Sequence, residues 1–328
     1  MEAKRNRDLE ERIFSINGSD DFNRLALEVF HFQYEFSPVY RKFCEHIKVS
    51  SPGKPEEIPF LPISFFKNRE IILKDLKPEI TFKSSGTTGT TRSEHAVAFK
   101  DVYKRSFTEA FSQLISDAED MILIALLPNY LEQGDSSLIY MVDHLMKKTN
   151  NPLSGFYLNS ANVLKEIVPE AKRSGKQVVL IGVSYALLDL ARLNIDLSGV
   201  TVIETGGMKG RRKEMIRDEL HEILRKGLRV SAVFSEYGMT ELLSQAYLTE
   251  EGYFRSPPWM KIFVRDINDP LTLLPEGKTG GVNVIDLANL YSCSFIATDD
   301  LGAEYGGVFN IFGRFDNSDI RGCNLLIN

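Results

Sequence analysis

The chain has 328 residues, 43% of them hydrophobic and 26% charged, enough to bury a sizeable core without disulfide or metal staples. Thirty-nine basic against forty-five acidic residues leave a net charge of −6, which argues against a nucleic-acid binder held by phosphate contacts. Met1 to Asp8 carries no apolar leader-like run, and the longest apolar stretch, Met121 to Pro128, is far short of the ~20 residues that span a bilayer, so a soluble cytoplasmic enzyme is expected.

In chain order, Phe22 to Ile47 places Leu25, Val29, Phe32 and Phe36 at helical spacing, with a break expected at Pro38. Ser50 to Pro55 reads as a loop, and Pro59 and Pro62 forbid a long helix through the hydrophobic run Ile58 to Lys67. From Thr81 onward short apolar and β-branched runs alternate with helical ones. Strands are predicted over Met121–Leu127, Gln177–Ile181, Thr201–Glu204 and Arg229–Phe234, and helices near 100–117, 135–149, 160–174, 184–193 and 210–226. That alternation implies parallel pairing with right-handed crossovers, hence an α/β sheet covered on both faces. After Gly238, Lys261–Val264, Gly281–Asp286 and Phe295–Thr298 are short strands separated by turn residues, which implies an antiparallel β portion. The expected organisation is one integrated domain: a helical lead-in over 1–80, an α/β core over 81–240 and a β-rich portion over 241–328.

Four segments could carry chemistry. Ser84-Ser85-Gly86-Thr87-Thr88-Gly89-Thr90-Thr91-Arg92 packs six hydroxyls and two glycines into eight residues before an arginine. Such a loop can turn backbone N–H groups and hydroxyls on a phosphate, with Arg92 adding charge; the bland alternative is a solvated Ser/Thr/Gly loop. A P-loop is excluded, because Gly277-Lys278-Thr279 would need a glycine at position 272, where threonine stands. The second segment, Ser235-Glu236-Tyr237-Gly238-Met239-Thr240-Glu241, follows a predicted strand and so lies at the carboxyl edge of the sheet. There Tyr237 could stack on a base, Thr240 could donate to a phosphate and Glu241 could hold Mg²⁺; equally, Thr240 and Glu241 could simply cap a helix. Thr298-Asp299-Asp300-Leu301-Gly302 offers carboxylates for ribose hydroxyls or merely shapes a turn. Gly313-Arg314-Phe315-Asp316 is rich in turn residues near the end of the chain.

Taken in order, these four segments resemble the motifs of the acyl-adenylate-forming ligase superfamily. The chain is similar to the large N-terminal domain of that family along nearly its whole length. The resemblance implies the family's fold: α/β, with mixed and parallel sheets flanked by helices and a small antiparallel β portion. It also implies roles. Ser84, Ser85, Gly86, Thr87, Thr88, Gly89 and Arg92 would form the phosphate loop, although Arg92 stands where the family commonly has lysine and Thr91 where it has proline. Glu236, Tyr237 and Gly238 would line the nucleotide, with Tyr237 on adenine. Thr240 would touch the α-phosphate and Glu241 would ligate Mg²⁺. Asp300 would bind the ribose hydroxyls, and Arg314 would contact ribose near a hinge at Asp316. ATP and Mg²⁺ are the implied cofactors.

With twelve residues after Asp316, the chain is expected to lack the family's mobile C-terminal domain and its adenylation lysine. The LuxE-type acyl-protein synthetases are short in this way. Phe30 to Tyr34, Ser37 to Tyr40, Ile58 to Lys67 and Gly206-Gly207-Met208-Lys209-Gly210 look like segments of that branch. The resemblance implies activation of a fatty or other carboxylic acid to acyl-AMP and transfer to a cysteine near the C-terminus, for which Cys323 is the candidate. Thiols are reasonable acceptors, and Arg321 could lower the pKa of this one; the alternative is a small residue packing a terminal strand. Cys44 and Cys293 are expected in the core. The implied partner is an acyl-accepting protein, a reductase or a carrier. Lys209, after the two-glycine turn Gly206-Gly207, is a candidate stand-in for the missing lysine. Two other functions stay open: transfer in trans to CoA or a carrier protein, and a non-catalytic nucleotide-binding interaction protein.

Overall fold

The structure, a computed structural model, describes residues 4–85, 91–128, 134–193, 195–206 and 215–314. Three helices open the chain: α1 (Arg7–Phe14), α2 (Ser19–Phe36) and α3 (Pro38–His46). In α2, Phe22, Leu25, Ala26, Val29, Phe30 and Gln33 form one buried stripe at helical spacing. The break at Pro38 is a junction between two helices. Ser37 caps α3 by accepting from the Tyr40 amide, and Pro38 takes the first helical position, where no N–H is needed. Next come β1 (Leu61–Pro62), α4 (Phe65–Asn68) and a hairpin of β2 (Ile80–Lys83) with β3 (Glu94–Val97).

The alternating part runs α5 (Lys100–Leu114), β4 (Met121–Leu126), α6 (Ser137–Thr149), β5 (Gly155–Phe156), α7 (Leu164–Arg173), β6 (Gln177–Gly182), α8 (Ser184–Ala191), β7 (Thr201–Glu204), α9 (Arg217–Leu228) and β8 (Val233–Tyr237). The chain then turns to β9 (Ala246–Leu248), β10 (Phe254–Arg255), β11 (Met260–Arg265), β12 (Gly280–Asp286), β13 (Phe295–Tyr305) and β14 (Val308–Arg314). One sheet runs in the order β11-β12-β13-β14-β10-β9-β8-β7-β6-β4-β5, with β1 beside β13. From β5 to β8 every pairing is parallel, and at β8–β9 the sheet switches to antiparallel. This is the mixed α/β architecture expected from the sequence. Side chains of α7, α8 and α9 bury one face of the parallel strands, and α1 to α6 contribute to the core on the other. Strand β4, between β6 and the short edge strand β5, is buried on both faces, as its unbroken apolar run requires. Cys44 and Cys293 lie in the core. Among the described residues, no helix is long and apolar enough to cross a membrane.

Four boundaries differ from expectation. The predicted helix near 210–226 is α9 from Arg217 to Leu228, because Leu220, Leu224 and Leu228 supply the buried stripe and Asp218 and Glu219 the acidic first turn. The predicted strand Arg229–Phe234 is shifted to Val233–Tyr237, since Arg229 ends α9 in a left-handed conformation (φ 61°). The shift puts Glu236 and Tyr237 on the strand itself. The predicted helix near 160–174 begins as a 3-10 segment, Leu158–Val163, with Ser160 off helical geometry. In the lead-in, the proline-rich run inserts a strand, β1, whose neighbour Ile63 donates its amide to the Ala297 carbonyl at 2.9 Å.

Candidate functional site

The site is built where the β2–β3 hairpin meets the turn after β8. The hairpin neck is closed by Ser84 N to Ser93 O (3.0 Å) and by Ser93 N to Ser84 Oγ (2.9 Å). Arg92 folds back on this neck, donating to the Ser84 carbonyl and pairing with Asp135 at 3.2 Å, so its guanidinium stiffens the base of the loop. Ser85 is exposed beyond the neck. Gly86, Thr87, Thr88 and Gly89 lie outside the described residues, as do Gly207, Lys209 and Cys323.

From β3, two side chains reach the turn. His95 is fully buried, and its Nδ1 donates to the Thr240 carbonyl at 2.7 Å. Burial pushes the imidazole down to about 4, while the acceptors that face both ring nitrogens favour its charged form. The Ser93 side chain lies close enough to the Glu241 carboxylate to lower its pKa against the effect of burial. Asn289 donates to the Glu241 and Cys293 carbonyls at 2.8 and 2.9 Å, which holds its Oδ1 toward His95 Nε2. Beyond the turn, buried Asp286 accepts the Leu243 and Ser244 amides (2.8 and 3.0 Å) and the Ser244 hydroxyl (2.6 Å). Thr240 and Glu241 are thus fixed from both sides. The structure brings together two of the predicted segments, a hairpin and a turn more than a hundred residues apart.

The third and fourth predicted segments meet the same turn. Asp300 on β13 stands opposite Arg314 on β14 and accepts its Nε at 3.0 Å, while the Tyr237 hydroxyl donates to the other carboxylate oxygen at 2.9 Å. Thr298 accepts the Asp300 amide at 3.1 Å. Buried Arg265, behind them, donates to the Val282 and Thr298 carbonyls and to Asn283. The Tyr237 ring is buried edge-on against Phe254 and Phe309, so its stacking partners in this structure are aromatic side chains. Glu241 is buried, which raises its carboxyl above the ordinary range; the Ser93 side chain and the nearby Arg314 charge pull the other way.

A second polar cluster lies at the end of β7. Glu204 accepts from the Ser184 hydroxyl, from the Gly206 amide (2.6 Å) and from Ser235 (3.3 Å), and His221 Nε2 lies 3.0 Å from Ser235 Oγ. Gly206 adopts φ 74°, a conformation that favours glycine. Glu236, on the next strand, is pushed up to about 8 by burial and by repulsion from Glu204. Gly238 leaves room for it: a Cβ there would meet Glu236 Oε1 at 2.2 Å.

Among the described residues no cluster of three or more His, Cys, Asp and Glu side chains could hold a metal. The donor set near Glu241 suits a cation held by one carboxylate together with substrate phosphates and water, the usual mode for Mg²⁺. His95, Ser93, Asn289, Arg265 and Gln245 were not singled out by sequence reasoning. Of these only His95, alone among apolar residues in a β-like run, offers any local signal.

No family model matches the chain, and no curated protein matches it in sequence. Solved structures match it in fold. The 2-hydroxyisobutyryl-CoA ligase in complex with 2-HIB-AMP and CoA superposes with TM-score 0.65 at 12% identity, over 96% of this chain and 73% of that one. ATP-bound MatB from Rhodopseudomonas palustris gives 0.51 at 18% identity, over 71% of this chain and 47% of that one. The amide bond synthetase McbA from Marinactinospora thermotolerans gives 0.50 at 18%, over 71% and 48%. The chain spans about half the length of the MatB and McbA chains. At these identities the likeness is one of fold, and it is the fold that the order of the motifs implied.

Proposed function

We propose that this chain uses MgATP to activate a carboxylic acid as acyl-AMP and then passes the acyl group to a thiol. A carboxylate oxygen attacks the α-phosphorus, the bond to pyrophosphate breaks, and a mixed anhydride forms. A thiolate then attacks the acyl carbon and AMP leaves. The observation that carries this reading is the join between hairpin and turn, the His95 ring to the Thr240 carbonyl at 2.7 Å. It joins the base of the β2–β3 hairpin to the Tyr237–Glu241 turn, whose Tyr237 also meets Asp300 and, through it, Arg314.

In the mechanism, the loop hydroxyls and amides bind the β- and γ-phosphates, and Thr240, immobilised through its carbonyl, orients the α-phosphate. Asp300 presents a carboxylate to the ribose from a position set by Tyr237 and Arg314. Donors fixed before the reaction avoid reorganisation as charge develops, the largest contribution expected in such transfers. Mg²⁺, when bound by Glu241, would neutralise charge on the phosphates. Lys209 would add a cation from the segment after Gly206. Because α9 begins at Arg217, that role rests on the Gly206-Gly207 turn alone. Lys209→Ala should lower ATP–pyrophosphate exchange ~10²-fold; unchanged exchange removes it from the mechanism.

In the LuxE-like form of this function the acceptor is Cys323 and the acid is fatty. The test is to incubate the protein with ATP and labelled acid, denature it, and look for hydroxylamine-sensitive label. Label that disappears in Cys323→Ser while exchange persists supports self-acylation. Exchange with no label on the wild type supports transfer in trans to CoA or a carrier, the alternative favoured by the likeness to a ligase solved with CoA. Absence of both exchange and label overturns the ligase reading.

A further inference from the structure

Two polar side chains on one face of the β8–β9 edge, Glu236 and Gln245, have acceptors without a partner among the described residues. In the β8–β9 pairing Glu236 stands opposite Tyr247 and Tyr237 opposite Ala246, so Gln245 continues the face of Glu236 beside Gly238. Both side chains lie over that glycine: a Cβ at 238 would meet Glu236 Oε1 at 2.2 Å and Gln245 Cγ at 3.1 Å. Gln245 is 4% exposed, and its Oε1 has no hydrogen-bond partner among the described residues. Glu236 is only partly exposed and likewise accepts no hydrogen bond among them. Buried polar groups are paired as a rule, and an orphaned acceptor in a site is completed by what binds there.

The space toward α5 and α6 is filled by rings. Tyr103 stacks on Tyr140 with centroids 5.9 Å apart and meets Phe82 and Phe107 edge-on at 5.3 and 4.8 Å. Tyr103 and Tyr247 are both fully buried; burial raises their hydroxyls well above the ordinary range, and the nearby Glu236 adds to it. An acid whose substituent reached Glu236 and Gln245 would therefore find packed aromatic rings on the same side.

We propose that the acid activated by this chain is short and carries a hydrogen-bond donor, an amino or hydroxy acid rather than an unbranched fatty acid, with Glu236 and Gln245 receiving that donor. This rests on the adenylation function proposed above. A site built to hydrogen-bond a substrate group discriminates strongly against the analogue lacking it. Because Glu236 holds its proton to about 8, a hydroxyl meets a neutral acid, whereas an ammonium must draw out the carboxylate.

The experiment measures ATP–pyrophosphate exchange and acid-induced shifts in Tm with the full chain. One panel holds short amino and hydroxy acids with their deamino and deoxy analogues, and the other holds unbranched fatty acids. The expected result is a kcat/KM at least ~10²-fold higher for donor-bearing acids, and a Tm raised by the same acids. Glu236→Leu and Gln245→Leu should each narrow that ratio ~10-fold or more. Glu236→Gln separates the two donors, because it removes the preference for an ammonium and keeps that for a hydroxyl. Exchange driven best by fatty acids, or a ratio unmoved in both leucine variants, overturns the inference and leaves adenylation standing. Exchange with neither panel overturns adenylation and the inference with it. Circular dichroism identifies a variant that fails to fold, and Glu236→Gln, isosteric with the wild type, then carries the test.

Discussion

Consecutive residues of β8 show two ways of treating a polar group at a sheet edge. On one side the Tyr237 hydroxyl donates to Asp300, Asp300 also takes Arg314, and its amide is held by Thr298. On the other, Glu236 and the amide oxygen of Gln245 face no hydrogen-bond partner among the described residues. The first arrangement is complete without a ligand and so fixes positions in advance, as electrostatic catalysis requires. The second leaves its capacity for something that arrives. If this contrast reflects function, damage on the first side should cost turnover, and stability as well where a buried partner is stranded. Damage on the second should change which acid is accepted.

The largest effect is expected at the turn that serves the first side. Glu241→Gln keeps the volume of the side chain but removes the charge. ATP–pyrophosphate exchange should fall ~10²- to 10³-fold, with Tm little changed. Full exchange in a folded Glu241→Gln protein would sink the assignment of the nucleotide to this edge. Next in size is Asp300→Ala, which strands the buried Tyr237 hydroxyl and leaves Arg314 without its partner. Urea unfolding should show a loss of about 2–3 kcal/mol, most of it from the buried hydroxyl, because Arg314 is 60% exposed.

Much of this architecture could be read in the sequence, and the rest could not for identifiable reasons. Met121–Leu126 declares itself because a strand buried on both faces is apolar throughout. Tyr237 to Glu241 stands out only through its order relative to the other motifs. β1 and β10 are two residues each and carry no periodicity. β8 starts later than the sequence suggests, because Val230 looks like strand while Leu220, Leu224 and Leu228 carry the helix to its end. The partnership of His95 with Thr240 spans 145 positions, and nothing local announces it. Gln245 is similar: its significance lies in a missing partner, which only the packed chain reveals.

A pH titration sharpens the contrast between the two sides. Folded Glu236 keeps its proton up to about 8, while an unfolded glutamate loses it near 4.5. As pH rises through that window the unfolded chain binds fewer protons than the folded one, so stability falls. Glu236→Gln abolishes this dependence, and its stability relative to wild type should improve by about 1–2 kcal/mol between pH 6.5 and 8. Working above 6.5 avoids His95 and His221, both depressed to about 4, whose destabilising effect develops as pH falls from 6.5 toward 4. Equal pH slopes for wild type and Glu236→Gln would mean that the carboxyl is solvated, and the second side would lose its distinctiveness.

The smallest loss of exchange is expected from Gly238→Ala, which separates the two sides most cleanly. The new Cβ would lie 2.2 Å from Glu236 Oε1 and 3.1 Å from Gln245 Cγ, so the Glu236 carboxyl must swing away. The end of a flexible side chain can do so, and the backbone at 238 is not left-handed, so the cost should be about 1 kcal/mol. Tyr237 points to the opposite face and keeps Asp300. Discrimination between donor-bearing acids and their analogues should therefore weaken more than exchange with a good acid. A loss of stability as large as that of Asp300→Ala would show that both faces of β8 are one mechanical unit, with no division between a fixed nucleotide side and an adaptable acyl side.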